Sequence, residues 1–272
     1  ESWTLISWWW IFINACYTML QSLLCTFAIY LHMLDVFKIP KLRHLSTKNK
    51  TALSLYPWKN CQPDFYNQLQ KPLTECNVAI VSSAGLYDLH SQETFDSTIL
   101  GGDYSYRIIS SDINMNSLRE GHRSNSFDHE GIRENSSTGL PIPQLNALVK
   151  EGSIGKINYR HFSIMGSITA PARFIKNTVP YIAKYLKADH VDVVLLVPVW
   201  PVCPQAVGLI QKACEENGII CSTISIIDEI SRKLKISRYL SVPSELGYPL
   251  GEPDDFDNQK DICKRALDLV TK

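Results

Sequence analysis

From residue 193 the chain runs Val-Val-Leu-Leu-Val, then Pro198, Val199, Trp200, Pro201, Val202, Cys203 and Pro204. A continuous apolar run with β-branched residues predicts a strand buried on both faces. Residues 206–217 switch to helical spacing, with Val207, Leu209, Ile210, Ala213 and Cys214 mostly on one side. Pro204 suits the first helical position, where its missing N–H costs nothing. Residues 219–226 read as a further strand, so strand, helix and strand follow with short joints, as in a right-handed βαβ unit. Upstream, residues 77–85 predict another buried strand running into a small-residue turn at Gly85. Helical patterns cover 143–150, 171–187 (kinked or split by Pro180), 228–234 and 257–270. Residues 238–243 make a short strand, and 247–253 a proline-stiffened loop. Residues 86–137 show little periodicity and read as a long irregular insertion. The expected fold is α/β: a mostly parallel sheet flanked by helices, Rossmann-like and doubly wound.

The amino-terminal stretch differs. No Asp, Glu, Lys or Arg occurs between Ser2 and Leu34, and residues 5–37 are long and apolar enough to span a bilayer. Trp8, Trp9, Trp10 and Tyr17 could anchor its interface, and Lys38, Lys41, Arg43, Lys48 and Lys50 follow it. Two readings stand: a membrane anchor that leaves the remainder cytoplasmic, or a segment foreign to the functional protein. The expected organisation is an apolar extension over residues 1–50 and one α/β domain over 51–272.

Charge adds little. The 27 basic and 27 acidic residues cancel, so nucleic-acid binding has little electrostatic support. Eight cysteines are scattered without zinc-type pairs, which favours a reducing, cytoplasmic compartment. Neither a GxGxxG nor a Walker-type loop occurs, so no nucleotide cofactor is expected, and no ligand spacing suggests a metal. Cys203 is the first candidate for chemistry. At or near the N-cap it would face unpaired N–H groups and the positive helix end, a field that favours thiolate over thiol. Ligands also bind at such strand-to-helix corners in open α/β sheets.

Several stretches in register resemble one family. They are Lys71-Pro72-Leu73 with the 78–86 strand and turn; Phe95-Asp96 followed by Gly101-Gly102-Asp103; His122 with Ser126-Phe127-Asp128-His129; Arg160-His161-Phe162-Ser163-Ile164-Met165-Gly166; residues 196–205; and Tyr248-Pro249-Leu250-Gly251-Glu252-Pro253. From about Tyr56 onward they are similar to the selenoprotein B family of the glycine, sarcosine, betaine and D-proline reductases, most closely its short stand-alone members. The resemblance implies a redox pair of selenocysteine (or cysteine), two residues, then cysteine. Cys203 matches the second member and Trp200 falls on the first. Indole can neither attack carbon nor bond to the Cys203 sulfur. Either the nucleophile is lost, or position 200 is a UGA codon read as selenocysteine in the cell and written here as tryptophan; the second is favoured.

The resemblance further implies reductive cleavage of a carbon–nitrogen bond in a small amine or amino acid. Attack from position 200 would be resolved by Cys203 to a selenenyl sulfide. An external dithiol or thioredoxin-like reductant would restore the pair, and a second reductase subunit would be a further partner. A leaving amine needs a proton, so His129 and His161 are candidate catalytic groups, with His122 and Asp128 as candidates for orienting substrate. A loop-stabilising hydrogen-bond cluster is the plainer role for these side chains. Gly102 and Asp103 are either a substrate loop or a turn, the turn being preferred, and Glu252 is expected to face the pocket. The competing functions are a catalytically inactive binding or scaffold homologue with Trp200 closing the pocket, and a single-cysteine redox protein working through Cys203 alone.

Overall fold

A computed structural model describes residues 39–43, 45–124 and 127–271. The chain divides into compact units at Tyr56/Pro57. In the first, the described residues carry one regular helix, α1 (Thr47–Ser54), capped by the Ser46 hydroxyl. The segment expected to span a membrane, 5–37, lies outside the described residues. Among the described residues no helix is long and apolar enough to cross one.

Among the described residues the second unit has nine strands: β1 (Asn77–Ser82), β2 (Leu86–Asp88), β3 (Tyr106–Ser110), β4 (Leu118–Glu120), β5 (Lys156–Ile157), β6 (Arg160–Ile164), β7 (Val193–Val197), β8 (Ile220–Ser225) and β9 (Tyr239–Ser241). Seven form one sheet in the order β3-β6-β1-β7-β8-β9, with β5 beside the start of β1. All its pairings are parallel except β3 against β6. Every residue of β1, β7 and β8 is buried, as expected of central strands covered on both faces. The helices are α2 (Glu130–Glu134), α3 (Ile142–Lys150), α4 (Pro171–Asn177), α5 (Val179–Ala188), α6 (Cys203–Glu215), α7 (Asp228–Leu234) and α8 (Phe256–Asp268). Two helix pairs, α5 with α6 and α3 with α8, flank the sheet. The expected α/β class with a mostly parallel sheet is the observed one.

Four local expectations are corrected. The 86–137 insertion is not without structure: β2 and β4 pair antiparallel, and β3 joins the main sheet as an edge strand. Only Ile109 of β3 is buried, so apolar alternation is too weak to announce it. Helix α6 is buried nearly all round rather than along one stripe, since it runs against β7, β8, α5 and α7. Pro204 stands second in that helix, behind Cys203, with Val202 as the cap. The split near Pro180 falls at Thr178, between α4 and α5.

Candidate functional site

The carboxyl ends of β1, β6 and β7 meet at Cys203. The Cys203 N–H donates to the Trp200 carbonyl at 2.9 Å, closing a turn that feeds directly into α6. Ser83, just past β1, receives the Val199 N–H on its hydroxyl at 3.1 Å and so ties the two strand ends together. Gly166, just past β6, has φ of +73°, and a Cβ there would stand 2.6 Å from Cys203 Sγ. The bare glycine backbone therefore forms one wall of the sulfur's chamber.

Cys203 is at the helix start, as expected, but its sulfur is not a ready thiolate. Full burial pushes the thiol up to about 11, although the Ser83 hydroxyl and the amides of Val199, Trp200 and Cys203 pull the other way. The helix start favours thiolate, but desolvation outweighs it here, so the expected depression of the pKa is corrected to a rise. The other described cysteines are buried free thiols as well. Burial likewise raises Cys61 to about 12 and Cys76 to about 11.

His122 faces the sulfur, with Nε2 3.8 Å from Cys203 Sγ. Its Nδ1 accepts the Ser124 N–H at 3.1 Å, so the ring proton sits on Nε2 and points at the sulfur. Burial, assisted by His129 and Arg123, lowers its pKa to about 3, and the ring is neutral. The Trp200 indole is nearly buried and stacks on Phe127, with centroids 5.6 Å apart and planes at 27°. Phe127 in turn stacks on His129 at 4.0 Å and meets the His122 ring edge-on at 4.9 Å. His129 places Nε2 2.6 Å from the Ser124 carbonyl and Nδ1 3.0 Å from Glu120 Oε1.

The remaining candidates are held in other ways. Asp128 is exposed; it accepts the Tyr248 hydroxyl at 2.6 Å and the Glu130 N–H at 2.9 Å. These bonds lower the Asp128 pKa, and the same contact pushes the Tyr248 phenol up to about 12. His161 lies inside β6, where its Nδ1 accepts the Ile80 N–H at 3.1 Å in the gap between β5 and β6. Burial holds it neutral, lowering its pKa to about 3. Asp103 is a buried loop organiser, accepting the N–H groups of Asp96 and Ser105 at 2.8 Å each. Gly102 has φ of +101° and a Cβ there would meet the Ser167 carbonyl at 2.5 Å, as a tight turn requires. The Glu252 side chain is exposed; its carbonyl accepts Gln259 Nε2 at 2.6 Å. Thus Trp200, Cys203, His122 and His129 come together, whereas His161, Asp103, Gly102 and Glu252 serve local structure in these contacts. Glu120 and Ser83 are the site residues that sequence reasoning missed. Ser83 was visible only as part of a turn, and a lone Glu in a polar stretch carries no signal. Among the described residues no cluster of three or more His, Cys, Asp or Glu is arranged to hold a metal.

Comparison with known proteins points one way. Residues 50–199 match the family described as glycine/sarcosine/betaine reductase selenoprotein B, a match that ends one position ahead of Trp200. The chain is 29% identical over 205 residues to the D-proline reductase subunit gamma of Acetoanaerobium sticklandii, covering 75% of this chain and 82% of that protein. It is 26% identical over 206 residues to the glycine reductase complex component B subunit gamma of Peptoclostridium acidaminophilum, covering 74% of this chain and 46% of that one. The betaine reductase complex component B subunit beta of the same organism is 23% identical over 194 residues, with 70% and 43% covered. The chain therefore spans most of the D-proline subunit and under half of the other two. No solved structure matches it significantly.

Proposed function

This chain belongs to the glycine/sarcosine/betaine reductase selenoprotein B family, and from that premise we propose that it is the chalcogen-bearing component of a reductase that cleaves a carbon–nitrogen bond in a small amine or amino acid. The observation that carries this reading is the turn at the head of α6. Its Cys203 N–H closes on the residue-200 carbonyl at 2.9 Å, so side chains 200 and 203 leave a single turn of backbone. A selenocysteine side chain is smaller than indole and fits the space against Phe127. Such a selenol supplies a polarisable nucleophile that is ionised at neutral pH. The overall change is a two-electron reduction: C–N is replaced by C–H, the nitrogen leaves protonated, and a dithiol is oxidised to a disulfide.

The chain's own groups have separate tasks in this reading. Cys203 is the second chalcogen, held as a neutral thiol until charge develops on it. His122 Nε2–H then donates to the sulfur and steadies that charge. An external dithiol or thioredoxin-like partner restores the pair. The matched relatives are named as subunits of reductases and reductase complexes, which supports a second subunit completing the site.

One observation favours a different role. Trp200 is only 6% exposed and stacks on the Phe127 ring, an environment that suits a true tryptophan. In that case the chain is a binding or scaffold component without the nucleophile. The codon decides between them. The reductase reading expects UGA at position 200 with a selenocysteine-insertion signal nearby; UGG in an organism with the standard code overturns it.

A further inference from the structure

We propose that Glu120 is the positioning residue of the Cys203 site, an inference that rests on reading this corner as the reactive centre. Its carboxylate ends β4 and its side chain is 1% exposed. A buried charge is tolerated only when donors surround it. Here the donors come from the segment that follows: the His122 N–H at 2.6 Å and Arg133 Nε and Nη2, both at 3.1 Å, while the His129 ring packs against the same carboxylate with Nδ1 3.0 Å from Oε1 and no hydrogen bond between them. The His122 bond fixes the backbone from which the ring reaches Cys203. The carboxylate also backs the His129 ring, which is held by Nε2 on the Ser124 carbonyl; Phe127 stacks on that ring and on the side chain at position 200. One carboxylate thus sets both the hydrogen-bond donor to the sulfur and the aromatic cover over its neighbour. Glu120 touches neither sulfur nor indole in these contacts and acts through His122 and His129.

The test is the rate of iodoacetamide alkylation at each cysteine of the full chain, resolved by peptide mass spectrometry, in wild type, Glu120→Ala and Glu120→Gln. Losing charge-assisted hydrogen bonds that hold the cover should speed Cys203 labelling about tenfold in Glu120→Ala. Glu120→Gln keeps an acceptor for the His122 N–H and should fall between that variant and wild type. Cys76 and Cys263, fully buried elsewhere, should label at their wild-type rates. An unchanged Cys203 rate overturns the proposal. So does a Cys203 rate that rises in step with Cys76 and Cys263, because general loosening exposes all three. If Glu120→Ala does not fold, the same comparison in Glu120→Gln decides. The measurement needs neither substrate nor selenium, so failure of the reductase reading would leave its outcome unchanged and would be seen separately in the codon.

Discussion

The two ends of the parallel sheet use buried polar groups in opposite ways. Where the strands begin, charge is matched by charge. Asp189, its side chain 2% exposed, takes the Arg160 guanidinium on both oxygens and also accepts from Asn158 Nδ2 and the Tyr159 hydroxyl at 2.9 Å each. Beside it Asp192 accepts the Asn77 N–H at 2.7 Å and pairs with Lys71 at 2.8 Å. Where the strands end, polar groups gather near one soft atom: His122 Nε2 lies 3.8 Å from Cys203 Sγ, and the Ser83 hydroxyl and neighbouring amides favour the thiolate of a sulfur that burial keeps neutral. A saturated end is a clamp. An uncharged sulfur faced by the His122 donor is suited to a group that gains negative charge during a reaction.

Breaking the clamp should have the largest effect on stability. Asp189→Ala leaves the Arg160 cation largely buried and unpaired, with an expected loss of about 3–5 kcal/mol in urea denaturation. Burial alone would raise the Asp189 pKa, but bonds from Arg160, Asn158 and Tyr159 outweigh it and the net shift is downward. The contribution is therefore complete above the unfolded value of about 3.9 and lost as pH falls through the lower folded value. Wild type should lose stability over that acid range and Asp189→Ala should not lose this part of it. Cys203 labelling should be unaffected in the folded variant.

At the other end, Gly166→Ala should cost about 2–4 kcal/mol, combining a left-handed φ with overpacking. Its Cβ would lie 2.6 Å from Cys203 Sγ and 2.7 Å from Ser83 Cβ. Unlike the clamp variant, it should change the Cys203 labelling rate. The smallest effect belongs to Tyr248→Phe, which removes one exposed hydrogen bond to Asp128, about 1 kcal/mol at most. The Asp128 pKa, followed by NMR titration, should rise toward the ordinary carboxylate value, because the Tyr248 hydroxyl is the main cause of its depression.

The same contrast explains what was legible in the sequence. Residues 193–197 announce a central strand because each side chain there is apolar, and Pro204 with the periodic residues beyond it announces the helix. Together they locate the Cys203 corner. The state of its sulfur is not legible there, because a helix dipole can be read locally while burial depends on Ser83, His122 and Gly166, distant in sequence. β3 went unseen because an edge strand exposes most of its side chains. His161 looked like a catalytic group, yet its Nδ1 fills a break in hydrogen bonding between strands, a task that exists only once the sheet has formed. Glu120 could not be singled out because its partners, His129 and Arg133, are ordinary residues until the chain folds back on itself.

The central claim is that positions 200 and 203 form a redox pair at the head of α6. Its most direct test is the selenium content and peptide mass of the protein purified from its native host. The account predicts stoichiometric selenium, and a peptide carrying residues 200 and 203 that is two hydrogens lighter after mild oxidation than after dithiol treatment. Tryptophan at position 200, no selenium and an unchanged peptide mass would contradict it.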